Sequence, residues 1–270
     1  MQGRLGPKYD GRYQAHPVNS WQKEFPVAAD LGLDCIEFIL DFNDFELNPL
    51  LSMQGLKEIK QLSNSTGVQV LSVCADYFMA APLHSKNKSI SDSSFQILEQ
   101  LLHAASIIGI RDIVIPCVDE SSIYEQKKRD LFCNGLSGSL NLAEKYGVNL
   151  CLETDLKPNQ FHDLILSFDS NQVTINYDVG NSASLGYSME EEFDKYSSYI
   201  SDVHIKDRLL GGGPVKLGTG DADIPEVFNK LKMCGYKGPI IMQAFRDDEG
   251  ISIFREQLQW VRDCLAKNEI

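Results

Sequence analysis

Seven times along the chain, a short run of β-branched and aliphatic residues is followed by a longer stretch with helical apolar spacing. The short runs are LDCIEFIL (33–40), VQVLSVCA (68–75), RDIVIPCV (111–118), VNLCLET (148–154), VTINYDVG (173–180), SDVHIKD (201–207) and GPIIMQA (238–244). Helices are expected after them: up to Gly67, over 89–109 and 127–147, from Pro158 to 170, near 188–197, over 223–234 and over 249–267. MQGRL and a helix near 20–31 supply an eighth unit at the start. The strands are apolar on both faces, as parallel strands covered by helices must be. Eight strand–helix units in 270 residues fit a single (β/α)8 TIM barrel spanning 1–270. A doubly wound open sheet is the competing architecture, but no G-x-G-x-x-G follows a strand, so a dinucleotide fold has no support. The longest stretch without helical pattern, DRLLGGGPVKLGTGDA (207–222), reads as a long loop after the seventh strand.

Charge and cysteine content narrow the partners. Lys and Arg number 25 against 38 Asp and Glu, a formal charge of −13. That balance disfavours a phosphate-backbone binder, which needs a basic face, so no nucleic-acid partner is expected. No apolar run is long enough to span a bilayer, and the N-terminus lacks the apolar centre of a signal peptide. The cysteines number seven, with no CxxC pair, and several sit in apolar runs. Buried free thiols in a cytoplasmic protein account for them.

In a barrel of this kind, functional groups gather at the C-terminal ends of the strands. The polar residues there are Glu37, Asp76, Glu153, Asp178, His204, Lys206 and Gln243. Glu153, Asp178, His204 and Gln243 belong to strands five to eight and would converge on one part of the rim. Two carboxylates, an imidazole and an amide oxygen suit one divalent ion, Mn2+, Mg2+, Co2+ or Zn2+. The alternative is a hydrogen-bonded polar cluster without metal. Lys206 lies two residues from His204, on the same strand face. It either contacts substrate oxygens or pairs with a buried carboxylate. Arg246, Arg208 and Arg4 are phosphate candidates near the rim, each with a surface ion pair as its ordinary alternative. Asp207 reads as orienting a neighbour. Asp221 and Asp223 read as turn and cap residues. His16, His84, His103 and His162 read as packing or surface residues.

The ordered set IEF, CLET, YDVGN, VHIKDR, LGTGDAD and IIMQAFR resembles the xylose-isomerase-like sugar isomerase/epimerase superfamily. The likeness is closest to sugar-phosphate isomerase/epimerase proteins and ketose 3-epimerases. VHIKDR followed by LGTGDAD is its most specific part. The resemblance implies a TIM barrel with one divalent metal held by Glu153, Asp178, His204 and the residue at 243. It implies a small carbohydrate substrate, no membrane partner, and a family in which dimers and tetramers are frequent. The implied chemistry removes a proton beside a carbonyl, with Glu153 as base, and stabilises an enediolate on the metal. Glu37, Asp76, Asn181, Lys206, Arg208 and Arg246 are the substrate-contact candidates.

Two positions depart from the family pattern. The last ligand is usually Glu and here is Gln243, which lowers the ligand charge from −3 to −2 and predicts a weaker metal site. Many relatives carry His where this chain has Asn181. An amide cannot exchange protons as a carboxylate does. A symmetrical two-carboxylate epimerase is therefore disfavoured against 1,2-isomerisation by one base, unless another donor such as Lys206, Asp76 or water returns the proton. A sugar-binding barrel with impaired catalysis is the alternative from outside enzymology. Metal-dependent dehydration or hydrolysis of a polyol, and a zinc-dependent repair nuclease, are the remaining ones.

Overall fold

Gly67, Gly109 and Gly147 each end a helix in the left-handed region, and each is followed within three residues by a strand. Only glycine enters that region without a Cβ penalty, so these positions stop the helix and turn the chain into the sheet. A computed structural model describes residues 1–3, 5–246 and 250–267. Arg4 and the expected helix start at 249 lie outside the described residues.

The elements, in order, are α1 (Glu24–Asp30), β1 (Cys35–Ile39), α2 (Met53–Thr66), β2 (Gln69–Cys74), α3 (Tyr77–Ala80), α4 (Lys88–Ile108), β3 (Asp112–Cys117), α5 (Gln126–Leu136) and α6 (Leu140–Tyr146). They continue with β4 (Asn149–Thr154), α7 (Pro158–Leu166), β5 (Val173–Asp178), α8 (Val179–Leu185), α9 (Met189–Tyr196) and β6 (Ile200–Ile205). The last are β7 (Asp207–Arg208), β8 (Pro214–Val215), α10 (Ile224–Met233), β9 (Ile240–Met242) and α11 (Ile251–Lys267). Strand order in the seven-stranded sheet follows chain order, β1-β2-β3-β4-β5-β6-β9. Alternating helices and parallel strands in this order make the fold a (β/α)8 TIM barrel.

By contacts the chain divides into two compact units, Met1–Leu156 with Asp163–Thr174, and Lys157–His162 with Ile175–Ile270. In the first, β1 to β4 pair in parallel with their neighbours. Apolar residues on both of their faces, among them Val73, Ile113 and Leu150 on one and Val114 and Cys151 on the other, are fully buried. In the second, β5 pairs with β6 and β6 with β9, again in parallel. Phe228 and Phe254 of the covering helices α10 and α11 are fully buried.

Three expectations differ from the structure. Among the described residues of MQGRL there is no regular strand; Gln2 forms one parallel bridge to Glu37, whose N–H donates to the Met1 carbonyl at 2.7 Å. Gly3, beside that bridge, has φ +54, a conformation that favours glycine. The helix expected over 127–147 is two helices broken at Ser137–Ser139, a Ser-Gly-Ser run of low helix propensity. A Cβ at Gly135 would stand 2.4 Å from the Phe95 ring, so glycine there lets α5 lie close against α4. The long loop after the seventh strand contains the small antiparallel pair β7–β8. No described helix is long and apolar enough to cross a membrane.

Candidate metal centre

In the second unit the geometry starts from strand register. Asp178, the last residue of β5, sits directly opposite His204 of β6. Asn176 lies two residues before Asp178 and so shares its strand face. Gln243 follows β9, whose residue Met242 pairs with Ile205, and Gln243 N–H donates to the Ile205 carbonyl at 2.9 Å. Asp178, His204, Gln243 and Asn176 are all buried.

Their polar atoms meet at His204 Nδ1. The Gln243 amide nitrogen stands 2.7 Å from it and the Asn176 amide nitrogen 3.0 Å. Amide nitrogens only donate, so Nδ1 accepts, and the ring carries its proton on Nε2. This neutral tautomer has the lone pair on Nδ1 that a metal ligand requires. Asp178 Oδ2 lies 4.0 Å from Nδ1 and 2.7 Å from Lys206 Nζ. Asp178 Oδ1 accepts the Asn181 N–H at 2.8 Å and caps α8. The amide oxygen of Gln243 is buried without a hydrogen-bond partner. A buried carbonyl oxygen in that state is costly unless a cation meets it.

The first unit has buried carboxylates of its own. Glu153 is the penultimate residue of β4, paired in register with Pro116 of β3, and is buried. Glu37 sits in the middle of β1 and not at its end, fully buried, and its Oε2 accepts the Ser72 hydroxyl at 2.6 Å. Asp76 follows β2 by two residues. It accepts the Cys74 thiol at 3.2 Å and the Gln14 amide at 3.5 Å, and burial raises its carboxyl above the usual range. Each unit thus carries buried side chains of the kind that ligate a divalent ion: Glu37 and Glu153 in the first, and Asp178, Asp202 and His204 in the second. Asp202 and Asn176 were not singled out by the sequence reading. The signal for both was the period of two, since each precedes a chosen residue by two positions on its strand.

The remaining candidates have definite places. Arg208 donates through Nε and Nη2 to the Gly212 carbonyl at 3.0 and 2.8 Å, and through Nη1 to the Asn181 amide oxygen at 2.8 Å. It thereby ties the Gly211–Gly213 run to the start of α8. Arg246 lies three residues beyond Gln243 and is partly buried. Asp207 is fully buried and accepts the N–H groups of Gly218, Gly220 and Ala222. Asp223 caps α10, and Asp221 accepts the Leu210 N–H. His16 is buried among the rings of Trp21 and Phe38, which pushes its imidazole down to about 4. Its backbone N–H donates to Asp41, which also pairs with Arg12.

Comparison with known proteins agrees with the fold. L-ribulose-5-phosphate 3-epimerase UlaE of Salmonella heidelberg is 26% identical over 243 residues, covering 84% of this chain and 83% of that protein. The fold matches that of the apo 3-keto-D-glucoside 4-epimerase YcjR of E. coli, with a TM-score of 0.73 and 18% identity over 90% of this chain and 94% of that one. It also matches a xylose isomerase domain protein from Planctomyces limnophilus, with a TM-score of 0.75 and 18% identity over 92% and 93% of the two chains. The xylose isomerase-like TIM barrel family matches residues 25–264, and the chain belongs to that family.

Proposed function

We infer that this protein is a divalent-metal-dependent isomerase or epimerase of a small sugar or sugar phosphate, which removes a proton beside a carbonyl with Glu153 as base. The observation that carries this reading is the buried group of Asp178, His204 and Gln243 at adjacent strand ends of the second unit, where the Gln243 amide oxygen has no hydrogen-bond partner; Glu153 is the buried carboxylate at the end of β4 in the first. Buried carboxylates are costly unless a cation meets them. When bound, the ion acts as a Lewis acid toward the substrate oxygens, easing the negative charge that follows loss of the proton.

The chain's own residues then divide the work. Asp178 and His204 would hold the ion, and without it the amides of Asn176 and Gln243 keep the His204 proton off Nδ1. Glu153 accepts the proton from carbon. Gln243 is an oxygen ligand and takes no part in proton transfer. Substrate contacts fall to Glu37, Asp76, Asn181, Lys206 and Arg246, with Arg208 holding the glycine run in place. UlaE is named for 3-epimerisation of a pentulose 5-phosphate, which makes C3 of a ketose phosphate the first position to examine. The Gln243 amide favours a second reading, 1,2-aldose–ketose isomerisation, because that reaction needs one base on one face.

A panel of ketopentoses, ketohexoses and their phosphates, assayed with Mn2+ and again after chelation, tests the proposal. Turnover of at least one member that disappears on chelation is expected. The product separates C3 epimerisation from 1,2-isomerisation. Sugar binding with no turnover and no metal dependence would instead mark a binding barrel that has lost its chemistry at position 243.

A further inference from the structure

The two oxygens of Asp178 have different tasks. Oδ1 is committed to the N-cap of α8 through the Asn181 N–H. Oδ2 is the oxygen turned toward His204 Nδ1, at 4.0 Å, and so the one available to a shared ion. That same oxygen carries the Lys206 ammonium at 2.7 Å. The lysine is held there by its surroundings. A Cβ at Gly180 would stand 3.0 Å from Lys206 Cγ and 2.9 Å from the Lys206 carbonyl oxygen, so the bare glycine leaves room for the lysine stem beside the start of α8. The Lys206 side chain keeps 14% exposure, against 2% for Asp178, so it has a path outward.

We propose that Lys206 is an internal counter-cation that competes with the metal ion for Oδ2 of Asp178, and that Lys206 and Gln243 together set a weak, readily exchanged metal site. This rests on the metal-dependent reading above. An ammonium and a divalent ion on one carboxylate oxygen repel strongly in a buried setting, so the lysine must leave as the ion enters. Gln243 acts in the same direction. It lowers the ligand charge by one, and its N–H group donates to His204 Nδ1 at 2.7 Å, which a carboxylate at that position cannot do. The metal-free protein thus gives two of the ligands partners of its own: Lys206 for Asp178, and two amides for His204. Entry of the ion releases the ammonium toward solvent and toward an anionic substrate.

The test is Mn2+ titration of the full chain by calorimetry and by the electron paramagnetic resonance of free Mn2+. Lys206→Met removes the competitor and should tighten binding by about tenfold or more. Lys206→Arg keeps the charge and should leave affinity near wild type. Gln243→Glu should also tighten binding, and adding Lys206→Met to it should tighten it further. His204→Ala should abolish the binding. If Lys206→Met folds poorly, Lys206→Gln carries the same expectation. Unchanged or weaker Mn2+ binding in the neutral variants, with His204→Ala still abolishing it, overturns the counter-cation role and leaves the metal site standing. Absence of Mn2+ binding in wild type and in Gln243→Glu alike overturns both.

Discussion

Gln243 shows how one atom separates what the sequence tells from what it does not. Its place after the last barrel strand was readable from the IIMQ run, and so was the loss of one ligand charge. Its contact with His204 Nδ1 was not, because side-chain amide orientation follows from packing across β6 and β9. Lys206 behaved similarly. Period two put it on the His204 face, but only the register of β5 against β6 decides that it meets Asp178. His16 gives the clearest prediction at this scale. Its imidazole is held down to about 4 from the usual 6.5 by burial. The unfolded chain therefore takes up a proton that the folded protein refuses, and stability is lost as pH falls from about 6.5 to about 4, by roughly 3 kcal/mol in all. Asp41, raised by burial, works in the opposite sense, so a wild-type curve alone does not isolate the histidine. His16→Phe, which suits the surrounding rings, should narrow its melting-temperature deficit, or gain, relative to wild type as pH drops from 7 to 4.5. Parallel curves for the two proteins would contradict the assignment.

At the scale of elements, strands and long helices were legible because apolar periodicity and glycine stops are local. The short α8 was not, since it begins at a residue read as a strand end, with Asp178 as its cap. The segment after β6 reads as a loop for want of periodicity, yet it is built around one group. Asp207 accepts three backbone N–H groups from Gly218, Gly220 and Ala222, at 2.9, 2.8 and 3.1 Å. Asp207→Ala leaves these donors unpaired and should cost about 3 kcal/mol, read by urea unfolding. Gly220→Ala should destabilise by a comparable route, because its Cβ would stand 2.2 Å from Asp207 Oδ1. A change below about 0.5 kcal/mol for either would show that the carboxylate does not organise the segment.

For the whole molecule, the barrel was legible from the count of strand–helix units, while the first strand was not. Among the described residues, one parallel bridge from Gln2 to Glu37 stands where that strand was expected. The net charge of −13 predicts that duplex DNA containing an abasic site is neither bound nor cut at 150 mM salt, roughly the physiological range, by filter binding and gel assay. Salt-dependent binding there would reopen the nuclease reading. Ligand linkage predicts that Mn2+ at about a hundred times its dissociation constant stabilises the fold by about 2.7 kcal/mol, and that His204→Ala loses this gain. Thermal unfolding with and without metal checks it, and an equal rise in the variant would place the ion elsewhere.

The central claim is that Glu153 takes a proton from carbon beside a carbonyl. Its most direct measurement is deuterium incorporation from heavy water into a turned-over ketose or ketose phosphate, followed by NMR with Mn2+ present, for wild type and for Glu153→Gln. Label should enter C3 or C1 with wild type and fall by about a hundredfold to ten-thousandfold in the variant, whose melting temperature stays close to wild type. Equal incorporation by both proteins, or conversion by wild type without any label entering carbon, would contradict the account.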